Sequence, residues 1–163
     1  MLRVEPASKA AFRELVLEYA ESLGVDLSFQ KFDEELEHLD RYYELMLLAV
    51  VDRTLQPHES GVTEGTADGT AIAGCVALRR IDDNDCEMKR LYVRPSFRGL
   101  NIGRSLALRA IAEARIRGYR RMLLDTLPGM SEAMRLYESL GFAECEAYRF
   151  NPIAGSKFLQ LIL

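Results

Sequence analysis

Hydrophobic positions change their period along the chain, and the changes outline the elements. Phe12, Leu15, Val16, Tyr19 and Leu23 recur at three- and four-residue spacing, the stripe of an amphipathic helix. Ser8 stands where an N-cap is wanted and Gly24 where a helix stops. Before it, Leu2-Arg3-Val4 reads as a short strand closed by Pro6. Phe29, Phe32, Leu36 and Leu39 mark a second, weaker helix whose other face carries Asp33, Glu34, Glu35, Glu37 and Asp40. Such a face is ordinarily solvated, and it can also attract a cationic substrate.

Leu45 to Val51 is a continuous apolar run, which predicts a strand covered on both faces. Ala71 to Leu78 predicts the next strand, and Asp52 to Gly69 between them is a long polar loop containing Pro57, Gly61, Gly65 and Gly69. His58 in that loop shows no catalytic pattern. Beyond Arg94-Pro95 the pattern turns helical again: Ile102, Leu106, Ala110 and Ala114 share one face, and Gly118 ends it. Arg121 to Leu127 is a further strand, and Ser131 can cap a last helix that stops at Gly141. Phe142 to Phe150 and Lys157 to Leu163 read as two closing strands. The order is β-α-α-β-β-β-α-β-α-β-β. Three successive strands predict hairpins, and helices between later strands can bring parallel pairing, so a mixed α/β sheet is expected.

The stretch Asn84 to Leu106 carries the candidate chemistry. A strand runs into a turn bearing Gly99 and Gly103, and a helix begins there, with Arg90, Arg94, Arg98 and Arg104 around it. The open N–H groups and positive dipole end of a helix can receive a phosphate. The motif lacks GxGxxG and follows three strands, which disfavours a Rossmann dinucleotide fold, and the missing GK[ST] excludes a P-loop.

Composition narrows the classes further. The 163 residues are 48% hydrophobic and 28% charged with a formal net charge of −4, which fits one compact domain over residues 1–163. No long basic stripe points to nucleic acid, and no apolar run reaches bilayer length. The N-terminus MLRVEPASK has no apolar signal region, so a cytoplasmic protein without membrane partners is expected. Cys75, Cys86 and Cys145 lack CxxC spacing, which suits reduced structural thiols and no metal.

Tyr92-Val93-Arg94-Pro95, then Arg98-Gly99-Leu100-Asn101-Ile102-Gly103, then Leu136-Tyr137-Glu138-Ser139-Leu140-Gly141-Phe142 together resemble the GCN5-related N-acetyltransferase (GNAT) superfamily across essentially the whole chain. The resemblance implies the acyl-CoA N-acyltransferase fold and transfer of an acetyl group from acetyl-CoA, as cosubstrate, to a small-molecule or peptide amine by direct attack in a ternary complex. The other class it leaves open is a catalytically degenerate acyl-CoA sensor or structural module; a homodimer is compatible with either. Cofactor contacts are implied for the backbone of Leu91, Tyr92 and Val93 and for Arg98, Gly99, Leu100, Asn101, Ile102, Gly103 and Arg104. Asn101 departs from the family pattern, which has glycine there, but asparagine visits the left-handed region readily. Met130 departs too, where many relatives carry asparagine. The family assigns proton donation to the CoA sulfur to the residue matching Tyr137. Glu87 matches the glutamate base of some members, with pairing to Lys89 or Arg79 as its structural alternative; a water relay can serve instead. Cys86 has no histidine partner nearby, so no acyl-enzyme is required. Substrate choice is expected from Gly24 to Lys31 and Tyr148 to Ser156, where Arg149 and Asn151 can grip an acceptor carboxylate.

Overall fold

The computed structural model describes residues 1–24, 26, 31–52 and 69–163. The loop around His58, and Phe29 of the second helix, lie outside the described residues.

Strand β1 spans Leu2–Pro6 and leads into α1, Lys9–Leu23. The Ser8 hydroxyl accepts from the Ala11 N–H at 3.2 Å, and Gly24 ends the helix at φ 62°, as the pattern predicts. The second helix is broken. It divides into α2, Phe32–Glu37, and α3, Leu39–Tyr42, because His38 leaves helical geometry at φ −129° and ψ 45°. Strands β2 (Leu45–Asp52), β3 (Thr70–Arg80) and β4 (Asp85–Val93) follow, then α4 (Ile102–Ile116), β5 (Arg121–Thr126) and α5 (Ser131–Ser139). The chain closes with β6 (Ala143–Glu144) and β7 (Lys157–Ile162).

Among the described residues these strands form one sheet in the order β1-β2-β3-β4-β5-β7-β6. Only β4 and β5 pair in parallel, through the α4 crossover; every other neighbour is antiparallel. A mixed α/β sheet is therefore what forms, although α5 brings no parallel pair. The strand expected from Phe142 to Phe150 shrinks to Ala143–Glu144. Its remainder leaves the sheet to carry Tyr148 and Arg149 onto β4 and β5.

Two apolar layers cover the sheet. Leu47, Ala49 and Val51 of β2 pack with Leu106, Ala110 and Ala114 of α4 on one face, while Leu48 and Val50 pack with Phe12, Leu15 and Val16 of α1 on the other. The double-sided burial of β2 accounts for its unbroken apolar run.

Strand β4 holds the fold's main irregularity. Cys75 pairs with Tyr92 and Ala77 with Lys89, so Arg90 and Leu91 stand opposite Val76 alone in a β-bulge. Arg90 takes φ 57°, uncommon for a side-chain-bearing residue. Its side chain is buried against Glu35: Nε donates to Oε1 at 2.8 Å and Nη2 to Oε2 at 2.6 Å, while Tyr43 Oη donates to Oε1 at 2.5 Å. The guanidinium also lies 5.2 Å from the Phe32 ring centroid, within cation–π range. Glu35 is thus not part of a solvated acidic face. Burial alone would raise the Glu35 carboxyl, but the hydrogen bonds and charge of Arg90 outweigh it and hold the group below its usual range.

Because that folded pKa is depressed, the contribution is present above the unfolded carboxyl range and lost as pH falls through the folded value. Glu35→Ala is expected to lower the unfolding free energy by about 3–5 kcal/mol at neutral pH. Urea titrations should show the difference from wild type narrowing in acid; a constant gap would contradict the linkage.

Candidate active site

The parallel ladder between β4 and β5 is short. Pairing runs Asp85↔Arg121, Cys86↔Met122 and Glu87↔Leu123 and then stops. Past that point the strands part, and the main chain of Leu91 to Val93 borders a groove of about 1010 Å³. The groove continues to the N-terminal end of α4 and is walled on the far side by Gly129 to Ala133 and Tyr137.

The turn at the head of α4 has the backbone the sequence suggests. Gly99 lies at φ 80° and Asn101 at φ 58°, ψ 16°, so the position of Asn101 does need a left-handed conformation, and asparagine supplies it. The N–H groups of Ile102, Gly103 and Arg104 fall in the first helical turn, where no intrahelical acceptor exists. A Cβ placed at Gly103 would meet only the Leu136 and Val93 side chains at 3.6 Å, so internal packing does not explain the glycine. Leu91, Tyr92, Val93, Arg98, Gly99, Asn101, Ile102, Gly103 and Arg104 all line the groove. Leu100 does not line it and is 45% exposed.

The basic cluster is smaller than the sequence suggests. Arg98 Nε donates to the Val93 carbonyl at 3.2 Å and Arg104 Nη1 to Ser139 Oγ at 2.9 Å, which keeps both beside the turn. Arg90 is consumed by Glu35. Arg94 reaches back to α1, donating to Glu14 and to both carboxylate oxygens of Glu18. Ser131 is the first residue of α5 instead of its cap; Met130 holds the cap position without a side-chain hydrogen bond and lines the groove.

Tyr137 is buried, packs edge-on against Phe142 with 5.7 Å between centroids, and lines the groove where β4 and β5 diverge. Burial, and then the nearby Tyr19 and Asp125, push its phenol well above its ordinary value, so it stays protonated through neutral pH. Glu87 is 1% exposed and faces the α1 side of the sheet. Tyr148 Oη donates to its Oε1 at 2.7 Å; Arg149 Nε lies 3.4 Å from Oε1 and Arg79 Nη1 3.7 Å from Oε2. The pairing with Arg79 named as its structural alternative is present, on a buried glutamate instead of a surface one, and two partners from the segment after β6 join it. Burial pushes the Cys86 thiol up to about 12, which leaves it un-ionised. No group of ligating side chains suited to a metal occurs among the described residues, and no described helix is long and apolar enough to cross a membrane.

Sequence reasoning missed Gly74 and Asp125. Gly74 sits opposite Val93, and a Cβ there would overlap the Tyr92 carbonyl oxygen. A glycine inside an apolar strand was the available signal. Asp125 lies in the Arg121–Thr126 strand and lines a small cavity between β4 and β5, joined by Arg149 and Asn151. A lone aspartate in an apolar run was its only mark.

A model of the acetyltransferase (GNAT) family matches residues 14–142. An uncharacterized N-acetyltransferase of Schizosaccharomyces pombe is 40% identical over 92% of this chain and 85% of its own length. An acetyltransferase structure from Streptococcus agalactiae superposes with a TM-score of 0.73 at 18% identity, covering 99% of this chain and 98% of that one. The yncA acetyltransferase of Salmonella typhimurium, solved with acetyl-CoA, gives 0.63 at 23% identity over 99% and 93%.

Asn101→Gly should preserve the turn, whereas Asn101→Val should strain it by about 1–2 kcal/mol. Calorimetric titration with acetyl-CoA is expected to show weaker binding for the valine variant alone. Equal affinities would mean that the left-handed turn does not matter to the groove.

Proposed function

The chain belongs to the acetyltransferase (GNAT) family, and we propose that it carries the acetyl group of acetyl-CoA to a primary amine by direct attack within a ternary complex. The observation that carries this reading is the parting of β4 from β5 after Glu87. It opens the main chain of Leu91, Tyr92 and Val93 toward a groove that ends at the α4 turn. In that reading the pyrophosphate rests on the N–H groups around Gly99 to Arg104, with Arg98 and Arg104 adding charge. The pantetheine arm lies along β4, and its thioester reaches the parting of the strands.

A backbone donor of β4 aimed at the thioester oxygen strengthens as negative charge develops there. The amine nitrogen bonds to the carbonyl carbon, the tetrahedral centre collapses, and the C–S bond breaks. Tyr137 gives its phenolic proton to the departing thiolate and is reprotonated, through solvent, by the surplus proton that the new amide nitrogen sheds; the burial that raises its pKa keeps the proton available until then. An ammonium must also lose a proton before it can attack, since a primary amine has a pKa of roughly 10.4. Glu87 is the base in this scheme. Its hydrogen bond from Tyr148 offers a relay: the Tyr148 oxygen takes a proton from the acceptor side, directly or through water, as its own passes to Glu87. Cys86 is un-ionised and packs in the layer shared with α4, which suits a mechanism without an acyl-enzyme.

Thiol release from acetyl-CoA across a panel of polyamines, amino acids, aminoglycosides and peptides tests the reaction class. Binding of acetyl-CoA with no release from any amine would favour a sensor instead. Tyr137→Phe is expected to lower kcat by about 10²–10⁴-fold while acetyl-CoA affinity holds; an unaltered kcat would remove Tyr137 as the acid. Glu87→Gln should change the pH–rate profile, and an identical profile would remove Glu87 as the base.

A further inference from the structure

Both charged hints to an acceptor in the sequence are taken up by the fold. Arg149 and Asn151, candidates for gripping a carboxylate, donate to Asp125 instead, to Oδ1 at 2.5 Å and to Oδ2 at 2.9 Å. Glu35, on the acidic face of α2, chelates Arg90. The second arrangement adjoins Leu91, where the main chain begins to border the groove. A buried ion pair commonly contributes no more to stability than apolar side chains of the same volume, so its presence at the bulge calls for another use.

Among the described residues, Lys31, Arg90 and Asn101 take positive φ despite a side chain. Lys31 and Asn101 stand before helices, whereas Arg90 lies inside a strand. Conformations so sparsely populated persist when their surroundings over-determine them. Here Glu35 holds the side chain, and the buried Cys75 holds the carbonyl: its Sγ donates to the Arg90 oxygen at 3.3 Å. Burial pushes the Cys75 thiol well above its ordinary value, which keeps the donated proton in place. A trans peptide carries its C=O and N–H on opposite edges. With the Arg90 carbonyl turned to Cys75 on β3, the Leu91 N–H of the same peptide turns away from β3, toward the side on which β5 has parted. Leu91 borders the groove there.

We propose that Glu35, acting through Arg90, and Cys75 are positioning residues for acetyl transfer: together they fix the peptide between Arg90 and Leu91 so that the Leu91 N–H faces the thioester oxygen. The inference rests on the acetyl-transfer reading above and names the side chains that set its backbone donor. Neither Glu35 nor Cys75 lines the groove, so each acts on the reaction through Arg90. A donor of this kind is effective when it is fixed before negative charge develops on the oxygen, because no reorganisation is then needed during the reaction. Loss of the bulge would restore the regular alternation of β4, turn the Leu91 side chain to the opposite face and re-aim its peptide.

The test reads the thioester carbonyl itself. Acetyl-CoA carrying a heavy isotope at its carbonyl carbon is bound to each protein, and difference infrared spectroscopy compares its C=O stretch with that of free acetyl-CoA; a hydrogen bond lowers the band. Wild type should show the lowered band. Glu35→Met combined with Arg90→Met replaces the pair by apolar side chains, a change that buried pairs commonly tolerate, and should return the band toward its free position. Its kcat for thiol release with an amine that the wild type uses should fall by roughly 10-fold to 10²-fold, approaching the loss of an oxyanion donor. CoA, which has no acetyl carbonyl, should bind as before. Glycine adopts positive φ readily, so Glu35→Met combined with Arg90→Gly should recover much of the band shift and of kcat. Cys75→Ala should move the band in the same direction with the ion pair intact, and Cys75→Ser, which keeps a donor, should move it less. Should the double variants fail to fold, the two Cys75 variants decide. A wild-type band at its free position, a band unmoved by the methionine pair or by Cys75→Ala, or a glycine variant no better than the methionine one would overturn the proposal, while thiol release from an amine keeps the transferase reading standing. If acetyl-CoA binds and no amine releases thiol, the transferase reading fails and the proposal with it.

Discussion

The buried pair between Arg90 and Glu35 is the constraint from which the site's geometry follows. It joins the α2 helix to the middle of β4 through two hydrogen bonds of 2.8 and 2.6 Å, with Tyr43 completing the carboxylate's shell. A guanidinium this deeply enclosed must be paired, because an unpaired buried charge is strongly unfavourable. Arg90 sits at the bulge, and its side chain reaches Glu35 from there. The ion pair thus accompanies a backbone conformation at φ 57° that a regular strand does not adopt.

The bulge decides which side chains face which layer. Before it, Cys86 and Met88 point to the α4 layer; after it, Leu91 and Val93 do, and Tyr92 joins the α1 layer. One extra residue thus reverses the alternation that a strand otherwise keeps. It lies just past the end of pairing to β5 at Glu87, where the main chain becomes open to the groove. Gly74 on the neighbouring strand is part of the same arrangement, since any larger residue would collide with the Tyr92 carbonyl.

A second junction is formed by Glu87, Asp125 and Arg149. Arg149 stands between two carboxylates where the pairing of β4 and β5 ends, 3.4 Å from Glu87 in the last pair and 2.5 Å from Asp125 beyond it. It bridges the gap that backbone hydrogen bonds have left. The segment following β6 is released from the sheet to make this bridge, which accounts for the short β6. Of these three residues, Asp125 also lines the small cavity between the parted strands.

Element order, the caps of α1, the double-sided burial of β2 and the left-handed position at Asn101 were readable from local pattern, because each depends on residues near in sequence. Periodicity, a capping hydroxyl and tolerance of positive φ are local properties. The break at His38, the phase reversal at Arg90 and the recruitment of Arg94 by α1 were not readable in that way. Nor were the shared use of Arg149 and the place of Asp125 in the cavity. A charge in a sequence looks alike whether it ends in solvent or on a partner fifty residues away. Only the packing of α2 against β4, and of the β6–β7 connection against the parted strands, decided which acids and bases were consumed by the fold and which faced the site.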